Sequence, residues 1–108
     1  MKYNFDVTIS VHSSGSVIYY QYGNKQPVNQ LSLALAQSVE KETGYRPMRS
    51  DGTSGAGYKD WAMDALGIPS LTLEIGCSTS PMEERDIYNT FSRCQNLLPA
   101  ISAWLLRQ

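Results

Sequence analysis

At 108 residues, with 42% apolar residues and a formal net charge of −1, the chain is sized for one domain with a modest core. Lysines and arginines are scattered, and no basic run interleaves with aromatics, which argues against nucleic acid as a partner. No apolar stretch approaches the roughly 20 residues of a membrane-spanning helix. Met1-Lys2-Tyr3-Asn4-Phe5-Asp6 has no signal-peptide pattern and passes straight into a strand.

In residues 5–11, Phe5, Val7, Ile9 and Val11 alternate with Asp6, Thr8 and Ser10, the period of a half-buried strand that stops at His12-Ser13-Ser14-Gly15. Residues 16–22 read as a second strand ending at Gly23-Asn24. Asn29 stands where an N-cap would. Leu31, Ala34, Leu35 and Val39 then recur at helical spacing until Gly44 supplies a stop. Residues 46–57, rich in Gly, Ser, Thr and Asp, read as a long loop of the kind that carries function.

Residues 58–66 read as a short helix stopped by Gly67, with Trp61 in the core. Ile68-Pro69 leads into the alternating strand Leu71-Thr72-Leu73-Glu74-Ile75-Gly76. Ser80-Pro81-Met82-Glu83 has the form of a capping box opening a helix, along which Ile87, Phe91 and Cys94 follow at helical spacing. Pro99 opens a last helical segment whose Ile101, Trp104 and Leu105 pack inward. Strands and helices in this order, with an apolar Leu71, Leu73, Ile75 face, predict an α/β layer arrangement. Cys77 and Cys94 could form one bridge, but without a C-x-x-C pair they read as buried free thiols.

The chemistry-bearing candidates are His12, the chain's sole histidine, and Glu74, each near a strand end. A carboxylate and an imidazole so placed suit metal-assisted hydrolysis. Each also has a plainer reading: His12 as a hydrogen-bonded structural residue, and Glu74 as a strand residue sharing the solvent face with Thr72. A serine hydrolase is disfavoured, since adjacent His12 and Ser13 point to opposite faces and no G-x-S-x-G elbow is present.

Three segments in unbroken order resemble the C-terminal half of carboxypeptidase A-like zinc peptidases. They are Thr8-Ile9-Ser10-Val11-His12-Ser13, then Ser54-Gly55-Ala56-Gly57-Tyr58-Lys59-Asp60-Trp61, then Gly67-Ile68-Pro69-Ser70-Leu71-Thr72-Leu73-Glu74-Ile75-Gly76. Tyr22-Gly23 fits as well, and the likeness spans essentially the whole chain. It is nearest to bacterial members that trim peptidoglycan stem peptides, such as γ-D-glutamyl-diaminopimelate peptidases. The implied fold is part of a carboxypeptidase-like α/β/α sandwich, a mixed sheet flanked by helices. Residues 1–108 would form its C-terminal portion.

The resemblance assigns His12 as a zinc ligand and Glu74 as the catalytic carboxylate that takes a proton from water and passes it to the leaving amine. It sets Ser13 along the substrate groove and Lys59 near the specificity pocket, where a cation favours an acidic side chain. The family's mobile substrate-contacting tyrosine aligns with Asp51, so Tyr58 is the candidate for that contact. Tyr58 as a packed helix-start aromatic, Lys59 as a solvated side chain and Asp60 as a structural carboxylate at the start of the helix are the plainer readings.

The family's other two zinc ligands lie in an upstream His-x-x-Glu segment, and the chain begins after them. One histidine cannot complete a catalytic zinc set, so zinc belongs to the complete enzyme and is weak or absent in this chain alone. Two classes follow. One is a zinc-dependent peptidase acting on peptides, with peptidoglycan stem peptides as the implied class, and completed by an N-terminal half. The other is an inactive remnant that binds a partner or self-associates as a homodimer through an unpaired strand edge.

Overall fold

The computed structural model describes residues 3–13, 15–49, 57–76 and 81–108. The chain runs β1 (Thr8–Ser13), β2 (Val17–Tyr19), α1 (Val28–Thr43), β3 (Arg46–Met48), α2 (Tyr58–Trp61) with one π-helical turn (Ala62–Leu66), β4 (Ser70–Ile75), α3 (Glu84–Cys94) and α4 (Leu97–Leu106). The strands form one sheet in the order β1-β4-β2-β3. β1 pairs parallel with β4, β2 antiparallel with β4, and β3 parallel with β2. This is an α/β fold with a mixed sheet, consistent with a carboxypeptidase-like domain.

Alternation along β4 sorts the two faces of the sheet. Leu71 and Leu73 are fully buried and meet Ile18 of β2, Leu35, Ala36 and Val39 of α1, Tyr45, and Ile101 and Trp104 of α4. Fully burying each such aliphatic side chain contributes about 1.5–3 kcal/mol, which anchors β4 at the centre of the sheet. Thr72 and Glu74 face the other way by the two-residue period of a strand. Gly44 and Gly67 end α1 and the π-helical turn in left-handed conformations (φ 77° and 67°), as their placement in the sequence predicts. Pro99 lies in the first turn of α4, where its lost N–H costs nothing.

Several expectations from the sequence are corrected. β1 starts at Thr8, and Phe5, the first apolar residue of the alternating run, is 50% exposed. β2 covers only three residues. Asn29 does not cap α1: Pro27 occupies that position, and Asn29 is buried inside the helix, where its side chain bonds the backbone of Tyr22 and Gly23. The loop of residues 46–57 begins with strand β3, while residues 50–56, including Asp51 and the Ser54-Gly55-Ala56 segment, lie outside the described residues.

Trp61 is 44% exposed and not part of the core. α3 begins at Glu84 without a side-chain cap, later than the Ser80-Pro81-Met82-Glu83 pattern predicts; Ser80 and Cys77 lie outside the described residues. Ile87 and Phe91 point outward, at 52% and 68% exposure, while Cys94 is a free, partly buried thiol against the core. Among the described residues no helix is long and apolar enough to cross a membrane.

Candidate functional site

The β1–β4 register pairs Thr8 with Ser70, Ser10 with Thr72 and His12 with Glu74. Partners on one rung of a sheet share a face, and their Cα atoms stand roughly 4.8 Å apart. One face of this strand pair is therefore entirely polar, and His12 and Glu74 form its last rung. The first rung is tied by a hydrogen bond from Thr8 Oγ1 to Ser70 Oγ at 2.8 Å, which helps fix the register on which the His12–Glu74 pairing depends.

Four contacts hold the far end of β4. Val17 of β2 pairs with Glu74 on the side opposite His12. The turn between β1 and β2 passes so close that a Cβ on Gly15 (φ +142°) would lie 3.4 Å from the Cβ of Glu74. Beyond Glu74, the Gly76 carbonyl accepts the Ser16 hydroxyl, and the Gly76 N–H donates to the Tyr45 hydroxyl at 3.3 Å. Glu74 is half-buried between these supports, whereas His12 is exposed at the end of β1.

The remaining candidates divide. Ser13 pairs with Ile75, so alternation turns its exposed side chain from the His12–Glu74 face. α2 packs against β1 and β4. On it Tyr58 is 52% exposed and tilts against Trp61, with ring centroids 5.6 Å apart. Lys59 is not a solvated cation. It is buried, and its Nζ donates to the Gln21 carbonyl at 2.6 Å and to Asp60 Oδ1 at 2.5 Å. The Lys59–Asp60 pair ties α2 to the chain after β2, and Asp60 cancels the charge that a free lysine would present. A Lys-Asp dipeptide at a helix start signals an exposed pair in sequence; only the packing of α2 makes it buried.

Zinc in a catalytic site takes three protein ligands and keeps a further position open. Among the described residues no group of three His, Cys, Asp or Glu side chains could hold a metal ion. These residues do not make up a zinc site by themselves, although the His12 imidazole is exposed.

The model of the zinc carboxypeptidase family matches residues 1–96. The chain belongs to the zinc carboxypeptidase family. It is also 34% identical over 79 residues to gamma-D-glutamyl-L-diamino acid endopeptidase 1 of Lysinibacillus sphaericus, an alignment covering 73% of this chain and 19% of that protein. The chain thus spans about a fifth of the length of that relative. Membership of this family agrees with the mixed α/β sheet.

Proposed function

We propose that the chain is the C-terminal portion of a zinc-dependent peptidase that cleaves peptide bonds in peptidoglycan stem peptides, with His12 as one zinc ligand and Glu74 as the proton-transferring carboxylate. The observation that carries the reading is the shared rung of His12 and Glu74 at the end of the polar face, in a chain of a zinc peptidase family. A carboxylate held at one position by Val17, Gly15 and the anchored Gly76 is suited to taking a proton from an attacking water and delivering it to the departing amine. The substrate class is suggested by the relative, whose name specifies a γ-D-glutamyl-L-diamino acid linkage.

Tyr58, exposed on α2 and braced by Trp61, is the substrate contact in this reading, and Ser13, whose side chain turns to the opposite face, offers the groove its backbone at the strand end. Lys59, buried and donating to Gln21 and Asp60, has one N–H beyond those two, and in this reading that one meets a substrate oxygen. Because Asp60 neutralises it, that contact selects for a hydrogen-bond acceptor more than for a negative charge.

The other zinc ligands and the rest of the groove come from an N-terminal half that pairs with this chain. Alone, the chain holds zinc weakly and does not turn over substrate. A protein carrying this sequence together with a His-x-x-Glu segment is expected to release the diamino acid from γ-D-glutamyl-diamino acid peptides, and to stop when zinc is chelated. Absence of hydrolysis by such a zinc-loaded protein would contradict the reading.

One observation favours a second reading, a non-catalytic module that associates through its sheet. β1 is an edge strand of six residues without proline, whereas the opposite edge, β3, is short and blunted by Pro47. The Thr8 N–H donates to Pro69 O, so the parallel pattern directs Thr8, Ser10 and His12 toward β4 and the backbone groups of Ile9, Val11 and Ser13 toward the open edge. A strand of the N-terminal half, or β1 of a second copy, could pair there.

A further inference from the structure

α3 is oriented against its own amphipathicity. Asp86, Asn89, Thr90 and Arg93, spaced as one helical face, line a cavity of about 180 Å³ closed on its other side by Ser16, Tyr45 and Gly76. Ile87, Tyr88 and Phe91, which by hydrophobicity alone would turn inward, are exposed at 52%, 81% and 68%. On that face Thr90 is buried, Asp86 half-buried and Asn89 and Arg93 exposed at the rim, so the side of α3 turned toward the fold is polar, and such local conflicts concentrate where a protein binds something.

The chemistry of the lining is specific. The Arg93 guanidinium stacks over the Tyr45 ring, 5.4 Å from its centroid. This contact orients the guanidinium without using its N–H groups in an ion pair, and among the described residues no carboxylate pairs with it. A planar guanidinium held in this way is suited to a two-pronged bond with a carboxylate. Asn89 adds a donor and an acceptor on the same face. Asp86 lies two turns toward the helix start, roughly 10 Å along the axis. It is already engaged within the chain, yet its negative charge still bears on the cavity. A cation at one end and an anion at the other favour a small molecule carrying both charges, and disfavour a dianion.

We propose that this cavity, between α3 and the end of β4, binds an amino acid that carries a second, side-chain amine, with its carboxylate on Arg93 and Asn89 and that side-chain amine toward Asp86. The volume suits a single amino acid rather than a longer peptide. The site adjoins Gly76, just beyond Glu74, so an occupant would bear on the strand that carries the proposed catalytic carboxylate. Binding here does not depend on the peptidase reading, and it is tested without turnover.

The test is an NMR titration of the chain with L-lysine, a diamino acid, beside cadaverine, acetate and inorganic phosphate. L-lysine is expected to shift the Asn89 side-chain amide, the Arg93 Nε–H and the Gly76 N–H saturably, with the other three probes at least tenfold weaker. Arg93→Gln should weaken L-lysine binding at least tenfold, and Arg93→Lys, which keeps the charge but loses the fork, should fall between. Either variant replaces an exposed side chain, and the unperturbed remainder of its spectrum reports that the fold is kept. Equal binding of acetate or phosphate would overturn the two-charge site. Shifts located elsewhere, or unchanged by Arg93→Gln, would overturn the cavity itself.

Discussion

The Tyr45 hydroxyl accepts the backbone N–H of Gly76, joining a fully buried core residue to the end of the strand that carries Glu74. Replacing Tyr45 with Phe keeps the packing and removes this acceptor, at a cost of about 1 kcal/mol in urea unfolding because water can reach Gly76. Burial pushes the Tyr45 phenol above its ordinary 10.0. The unfolded phenol therefore ionises first. Stability from this group is intact below pH 10 and declines as pH rises from there through the folded value. Comparing wild type with Tyr45→Phe by denaturation from pH 9 upward should show a steeper alkaline decline in wild type; parallel curves would contradict the linkage.

Gly15 holds φ +142° against the Glu74 side chain. Gly15→Ala is expected to destabilise the fold by about 1–3 kcal/mol through backbone strain, with the added methyl in contact range of Glu74. Equilibrium unfolding reads the loss, and a neutral substitution would show that the turn relaxes away from Glu74.

The buried Lys59–Asp60 pair predicts a non-additive pattern. Lys59→Met leaves Asp60 charged and nearly inaccessible, and should cost about 3–5 kcal/mol; the double variant Lys59→Met, Asp60→Leu should recover much of that loss. A double-mutant cycle by thermal or urea unfolding measures the coupling, and additive effects would mean that the pair is solvated.

Along β1, the outward backbone of Val11 makes a specific target. Val11→Pro removes an N–H that does not bond β4, so the sheet should persist while edge pairing is lost. Sedimentation over a concentration series should show less self-association than wild type. Equal association of both would assign it to another surface, such as the exposed apolar side chains of α3.

Much of the sheet was legible because its signals are local. The alternation of Leu71, Leu73 and Ile75 with Thr72 and Glu74 fixes both the strand and its faces, and Gly44 and Gly67 mark helix ends by backbone conformation. The same holds for His12 and Glu74 as candidates, since each sits near a strand end; that they share a rung is a matter of register, which no local pattern encodes. What escaped depends on tertiary contacts. Asn29 has the residue type of a cap, but bonds to Tyr22 and Gly23 draw it into the helix. β3 contains Pro47, which argues against a strand unless it lies at an edge, as it does. Ile87 and Phe91 have core periodicity, yet α3 turns them outward.

Glu74 is the residue on which the proposed proton transfer turns, and Glu74→Gln in a protein that joins this chain to the His-x-x-Glu segment tests it. Peptide hydrolysis is expected to fall by about 10²–10⁴-fold while zinc stays bound at wild-type stoichiometry. Turnover within a few-fold of wild type, with zinc retained, would remove Glu74 from the chemistry.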